Sequence, residues 1–125
     1  MTKKEFALNA ILPYFIDPTT CGYDKEMDSC VYITEDGRKC VAGKYMLESV
    51  LSKWNRSIGS ILMENDQSDV FKPEFVGILT DNEWKSLQLI HDGIASGFDI
   101  TNFCENSNLF TLEELENEKT KNLVG

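Results

Sequence analysis

Apolar positions recur along the chain with two different periods, and the changes between them divide it into elements. Thr2-Lys3-Lys4-Glu5 is a capping box: the threonine hydroxyl can accept from the Glu5 amide while the Glu5 carboxylate reaches back to the cap, so a helix starts at Lys3. It carries Phe6, Ala10 and Ile11 on one face. Pro13 lacks an amide hydrogen and disfavours helix at the residue before it, so it should end or kink this helix. Residues 17–28 hold Pro18, Gly22 and the acidic series Asp24, Glu26 and Asp28, the make-up of an exposed loop. The period then changes. Cys30-Val31-Tyr32-Ile33-Thr34 is rich in β-branched and aromatic side chains, Asp36-Gly37 is a hairpin-turn signal, and Lys39-Cys40-Val41-Ala42 resumes the apolar pattern, which predicts a β-hairpin over about 29–42.

Gly43 closes the second strand, and Met46, Leu47, Val50, Leu51 and Trp54 follow at helical spacing, predicting a helix over 44–55. The pattern between 56 and 79 is weaker. Ile61-Leu62-Met63 reads as a short buried piece and 66–69 as loop. Lys72-Pro73 opens either a helical turn carrying Phe75, Ile78 and Leu79 or a strand at Val76-Gly77-Ile78. A second capping box, Thr80-Asp81-Asn82-Glu83, begins a helix with Trp84, Leu87, Ile90, His91 and Ile94 on its apolar face and Gly97 as its C-terminal cap. A third, Thr111-Leu112-Glu113-Glu114, starts a polar helix with Leu112, Leu115 and Leu123 to dock and a tail that frays from about 119. The predicted fold class is α+β: one domain over 1–125, in which a single hairpin, with room for one further short strand, packs against three or four helices.

Composition narrows the function. A chain of 125 residues that is 42% hydrophobic fits one core and should bury roughly two-thirds of its unfolded surface. The 21 Asp and Glu outnumber the 12 Lys and Arg, for a net charge of −9. That balance opposes a phosphate backbone, whose affinity comes from cations that displace counterions, and points instead to a partner protein with a basic surface. Lys3-Lys4 and the stretch Phe6–Ile16 have the outline of a signal peptide, but Asn9 and Pro13 interrupt it and no small-x-small cleavage site follows. No other segment reaches the roughly 18 apolar residues that a membrane span needs, so the expectation is a cytoplasmic protein with no membrane contact. The four cysteines, 21, 30, 40 and 104, contain no C-x-x-C spacing, and a domain with an adequate core needs no disulfide framework. Free thiols and no cofactor are expected. Cys30 and Cys40 flank the Asp36-Gly37 turn roughly 10 or 14 Å apart along the ladder, depending on loop length, beyond the limit of about 7 Å between Cα atoms for a disulfide.

Two near-matches fail on their chemistry. Gly37 to Lys44 has one residue too many for a phosphate loop and no hydroxyl after the lysine. Asp24, Glu26, Asp28 and Glu35 are spaced as calcium ligands, but Ser29 stands where a glycine must turn the loop. Cys40 is the more chemical candidate: it lies beside Arg38, Lys39 and Lys44 near a predicted helix start, a setting that favours thiolate. With His91 as base and Asp92 or Asp99 as orienting acid it would make a nucleophilic pair. The same residues suggest a metal reading, with Cys30, Cys40 and His91 as ligands and Cys104 as a fourth. Against both, a lone histidine on an apolar helix face is ordinarily a core side chain, and buried cysteine behaves as a small hydrophobe. For binding, Tyr23 and Tyr32 with the acidic rim Asp24, Glu26 and Asp28 form a candidate surface, although Tyr32 also suits core packing.

Two patches taken together, Cys30-x-Tyr32 with Gly37-Arg38-Lys39-Cys40-x-x-Gly43, and Leu87-Gln88-x-x-His91-Asp92, resemble a group of small uncharacterised proteins encoded by phages and mobile elements. The likeness spans about residues 28–48 and 84–92. It implies a phage-type origin, a cytosolic setting and one spatial cluster of Cys30, Tyr32, Cys40, Gly43, His91 and Asp92, and it supplies no activity. The leading expectation is a non-enzymatic acidic interaction protein that binds and modulates or inhibits a host protein, such as a defence protein. The alternatives are a small thiol hydrolase or transferase using Cys40 and His91, and a Cys/His metal-stabilised module.

Overall fold

Residues 2–24, 29–30, 32–34, 36–51 and 58–124 are described in this computed structural model. Among them the chain forms seven α-helices: α1 (Lys3–Ile16), α2 (Glu48–Leu51), α3 (Ile58–Glu64), α4 (Gln67–Val70), α5 (Asp81–Ser96), α6 (Thr101–Ser107) and α7 (Leu112–Val124). All three capping boxes form. The amides of Glu5, Glu83 and Glu114 donate to the hydroxyls of Thr2, Thr80 and Thr111 at 3.1, 3.2 and 3.2 Å, and each glutamate accepts from its cap amide in return. Two of these glutamates also face lysines of α1, Lys3–Glu83 at 2.8 Å and Lys4–Glu114 at 2.7 Å, which brings the starts of α5 and α7 to the start of α1. Gly97 ends α5 in the left-handed conformation, at φ +74°.

The α+β expectation is overturned: the fold is a single all-α domain. The strand pairing in the described residues amounts to a two-residue antiparallel ladder, Tyr23 opposite Cys30 and Asp24 opposite Ser29, with isolated bridges Ile33–Lys39 and Met46–Phe71. The Asp36-Gly37 turn does form, with Gly37 at φ +88°, and the Thr34 amide donates to the Arg38 carbonyl at 2.8 Å. The hairpin stops at Cys40 because Cys40, Val41, Ala42 and Gly43 are all buried, which a strand with one wet face does not allow. The chain coils instead. Lys44 bonds back to the Cys40 carbonyl and a 3-10 turn runs over Gly43–Tyr45. Gly43 is required here: a Cβ would collide with the Tyr32 carbonyl.

The helix expected over 44–55 begins only at Glu48, because Met46 is extended against Phe71, with Leu47 N–H bonded to the Val70 carbonyl at 3.0 Å. Residues 52–57 lie outside the described residues. The expected loop at 66–69 is largely α4, and Val76-Gly77-Ile78 is a turn, with Gly77 at φ +81°, after a 3-10 turn at Pro73–Phe75. Pro13 does not end α1, which runs to Ile16; the proline forfeits one bond, to the carbonyl of exposed Asn9, where water can substitute. No pattern had suggested α6. Its start is held by Asp99, whose carboxylate accepts from the Thr101 amide and hydroxyl at 3.0 and 2.6 Å.

α1 buries Phe6, Ala7, Leu8, Ala10, Ile11, Leu12 and Tyr14, more than one face, as befits a helix packed on both α5 and α7. α5 contributes Trp84, Leu87, Ile90 and Ile94, and α6 approaches it closely at Gly93, where a Cβ would stand 3.1 Å from Phe103 Cε2 and 2.9 Å from Cγ2 of Ile100, the residue before α6. Among the described residues no helix is long and apolar enough to cross a membrane.

Candidate functional site

Gln88, His91 and Asp92 stand at i, i+3 and i+4 on α5, so their side chains meet on one face. That face meets two loops. The Gly22 amide donates to His91 Nε2 at 3.3 Å, which makes Nε2 the lone-pair nitrogen and leaves Nδ1–H to donate to Asp92 Oδ1 at 2.9 Å. The Gln88 side-chain amide donates to the same carboxylate oxygen at 2.9 Å, while its carbonyl accepts from the Ala42 amide at 3.2 Å. The α5 trio thus holds one backbone amide from each loop.

Aromatic and cationic groups close the surroundings. Tyr14 of α1 meets the His91 ring edge-to-face, with centroids 4.7 Å apart, and its hydroxyl donates to the Lys39 carbonyl at 2.6 Å. The Lys44 ammonium lies 4.4 Å from the Tyr14 ring centroid. Arg38 pairs with Asp36 at 3.0 Å and donates to the carbonyls of Cys21 and Thr19 at 3.1 and 3.4 Å. Cys40 Sγ accepts from the Gly43 amide at 3.3 Å.

Titration follows burial. The Cys40 thiol is pushed up to about 12 by burial, against the Gly43 amide that favours thiolate, with Asp92 adding to the rise. Burial pushes Cys21 and Cys104 up to about 11, aided at Cys21 by Asp92 and at Cys104 by Glu105. Burial also raises Tyr14 and lowers Lys44.

These positions answer the sequence candidates one by one. Cys40, expected as a thiolate, is a buried neutral thiol: its neighbours Arg38 and Lys44 are directed to carbonyls and to the Tyr14 ring, and the α-helix that follows it starts only at Glu48. Asp92 does orient His91. Yet the nitrogen that would take a proton from a nucleophile is occupied by the Gly22 amide. Among the described residues no group of three or more His, Cys, Asp or Glu is placed to share a metal ion, and Cys21, Cys40 and Cys104 are free thiols. The side chain of Cys30 lies outside the described residues, and Cys104 sits on α6. Tyr32 is buried, with its carbonyl accepting from the Cys40 amide at 3.2 Å, so it leaves the candidate binding surface. For Tyr23 and Asp24 the backbone alone is described, and Glu26 and Asp28 fall outside the described residues.

Gln88 had no assigned role. Its signal was a polar side chain on an otherwise apolar helical stripe, between Trp84 and Leu87 on one side and His91 on the other. Gly22 and Ala42 act through backbone amides, which any residue but proline supplies. Tyr32, Cys40, Gly43, Gln88, His91 and Asp92 therefore lie in one connected neighbourhood, joined by the bonds above and by the close Gly43–Tyr32 approach. Compared with protein families, with curated proteins and with solved structures, the chain finds no match in any of the three.

Proposed function

We propose that this chain is a non-enzymatic acidic interaction protein, a phage-type factor that binds and modulates a host protein, with host defence proteins as the class to search. The observation that carries the reading is the closure of the polar neighbourhood on itself. The thiols of Cys21, Cys40 and Cys104 are buried and neutral, and the His91 lone pair is bonded to Gly22, so the groups that would perform thiol chemistry are spent on structure. The outer surface remains. It carries the net charge of −9 together with exposed Met63, Phe98 and Leu89, a combination of field and apolar anchors suited to a basic protein partner. The likeness of 28–48 and 84–92 to phage and mobile-element proteins supports the host setting.

The test is capture from a bacterial lysate by the immobilised chain at low ionic strength, followed by elution at high ionic strength. A single protein with a basic surface, held in stoichiometric amount and released by salt, is the expected result. No stoichiometric partner at low salt, or one whose binding ignores salt, overturns the reading.

A further inference from the structure

His91 is fully buried, yet one of its two bonds exists in a single protonation state. Nε2 holds the Gly22 amide only while it carries a lone pair; once protonated, two donors face each other 3.3 Å apart with no acceptor between them. The Nδ1–H bond to Asp92 survives in both states, and Asp92, whose side chain is 38% exposed, supplies the counter-charge that an imidazolium needs. Protonation therefore breaks one attachment and keeps the other.

We propose that His91 is an acid-released latch on the segment Pro18–Gly22: taking up a proton at Nε2 ejects the Gly22 amide and frees this segment from α5 and α1 while the helices stay packed. The segment is lightly held elsewhere. Its 3-10 turn, Pro18–Thr20, buries no residue; Thr19 and Thr20 bond back to Asp17 at the end of α1, which forms the hinge, and beyond the hinge the segment is tied by the Arg38 bonds to the Thr19 and Cys21 carbonyls and by the buried Cys21 side chain. Among the described residues, Tyr14 from α1 packs against the ring, and the charged and titratable groups next out are Cys21 from the segment, Asp17 just before it, and Arg38, Cys40 and Lys44 from the second loop, which act on Cys21, Tyr14 or Asp92. Tyr14 and the two thiols are neutral, Arg38 and Lys44 oppose a new positive charge, and Asp92 makes the direct ion pair. The released state binds the proton and the latched state does not, so lowering the pH favours release. The inference stands independently of the proposed partner.

The test compares the reaction of Cys21 and Cys104 in the whole chain with 4,4′-dithiodipyridine, which still exchanges with thiols in acid, read peptide by peptide. Cys104, on α6, corrects for the pH dependence of the reagent. On acidification from about pH 7.5, which protonates imidazole, the Cys21 to Cys104 rate ratio should rise about tenfold or more. In His91→Gln, whose amide oxygen can accept from Gly22 at any pH, the ratio should stay flat. A flat ratio in the native chain, an equal rise in the variant, or both cysteines opening together overturns the latch. If the variant does not fold, the imidazole nitrogen chemical shifts of the native chain decide. Nε2 must be unprotonated at neutral pH and gain its proton over the interval in which Cys21 opens; any other course overturns the proposal.

Discussion

Trp84 and His91 lie about two turns apart on the same face of α5, both fully buried, and their surroundings have nothing in common. Trp84 stacks on Phe71 with centroids 4.3 Å apart and planes 20° from parallel, meets Phe6 edge-on at 5.9 Å and lies 5.6 Å from Tyr45. Its indole N–H finds no hydrogen-bond acceptor among the described residues. Around His91, both ring nitrogens, both ends of the Gln88 amide and an Asp92 oxygen are bonded. One end of the helix is held by contact area, which has no direction; the other is held by direction, which decides which backbone lies where. A single helix thus anchors a core and also specifies two loops.

The largest effect that could break this contrast is at the aromatic end. Trp84→Ala should cost about 3–5 kcal/mol in the denaturant midpoint, whereas Trp84→Phe should cost far less, because the lost N–H was unpaired. Equal losses in the two variants would mean that the indole nitrogen has a partner and that the two ends are alike. At the polar end Gln88→Ala strands the Ala42 amide, a loss of about 1–3 kcal/mol. Hydrogen exchange sharpens the point: Ala42 should lose protection selectively in this variant, while Trp84→Ala lowers protection throughout.

The effect that emerges most gradually is alkaline. Cys40 keeps its proton to about 12 and Cys21 and Cys104 to about 11 when folded, against 9.0 for an unperturbed thiol, and Tyr14 and Tyr45 are raised by burial too. The folded state holds these protons more tightly than the unfolded one, so stability is complete below about 9 and declines as the pH rises above it. Melting temperatures measured upward from pH 8 should fall, and Cys40→Ala should flatten the decline. A thiolate at Cys40 would give the reverse trend.

The same contrast explains what was legible in the sequence. Capping boxes at Thr2, Thr80 and Thr111 are local signatures, complete within four residues, and all three helix starts appear where those residues stand. The run Cys40 to Gly43 misled because a short apolar run reads alike as strand or as buried coil, and its burial on every side is decided by α1 and α5, far along the chain. α6 escaped because its start rests on a single Asp99–Thr101 contact and its length is under two turns. In the site, the spacing of Gln88, His91 and Asp92 was visible. Their partners were not, since the amides of Gly22 and Ala42 leave no side-chain trace.

Gly43 limits how the chain can vary. Alanine is the mildest replacement by volume, yet its methyl group would enter the Tyr32 carbonyl, a backbone atom that cannot swing aside as a flexible side chain would. In a library of all single substitutions, position 43 should be among the emptiest columns, while exposed Met63 should admit nearly every residue. Divergence in such a protein is steered outward: its surface can drift toward a new partner as long as the crossing of two loops, behind it, keeps one hydrogen atom where a side chain would be.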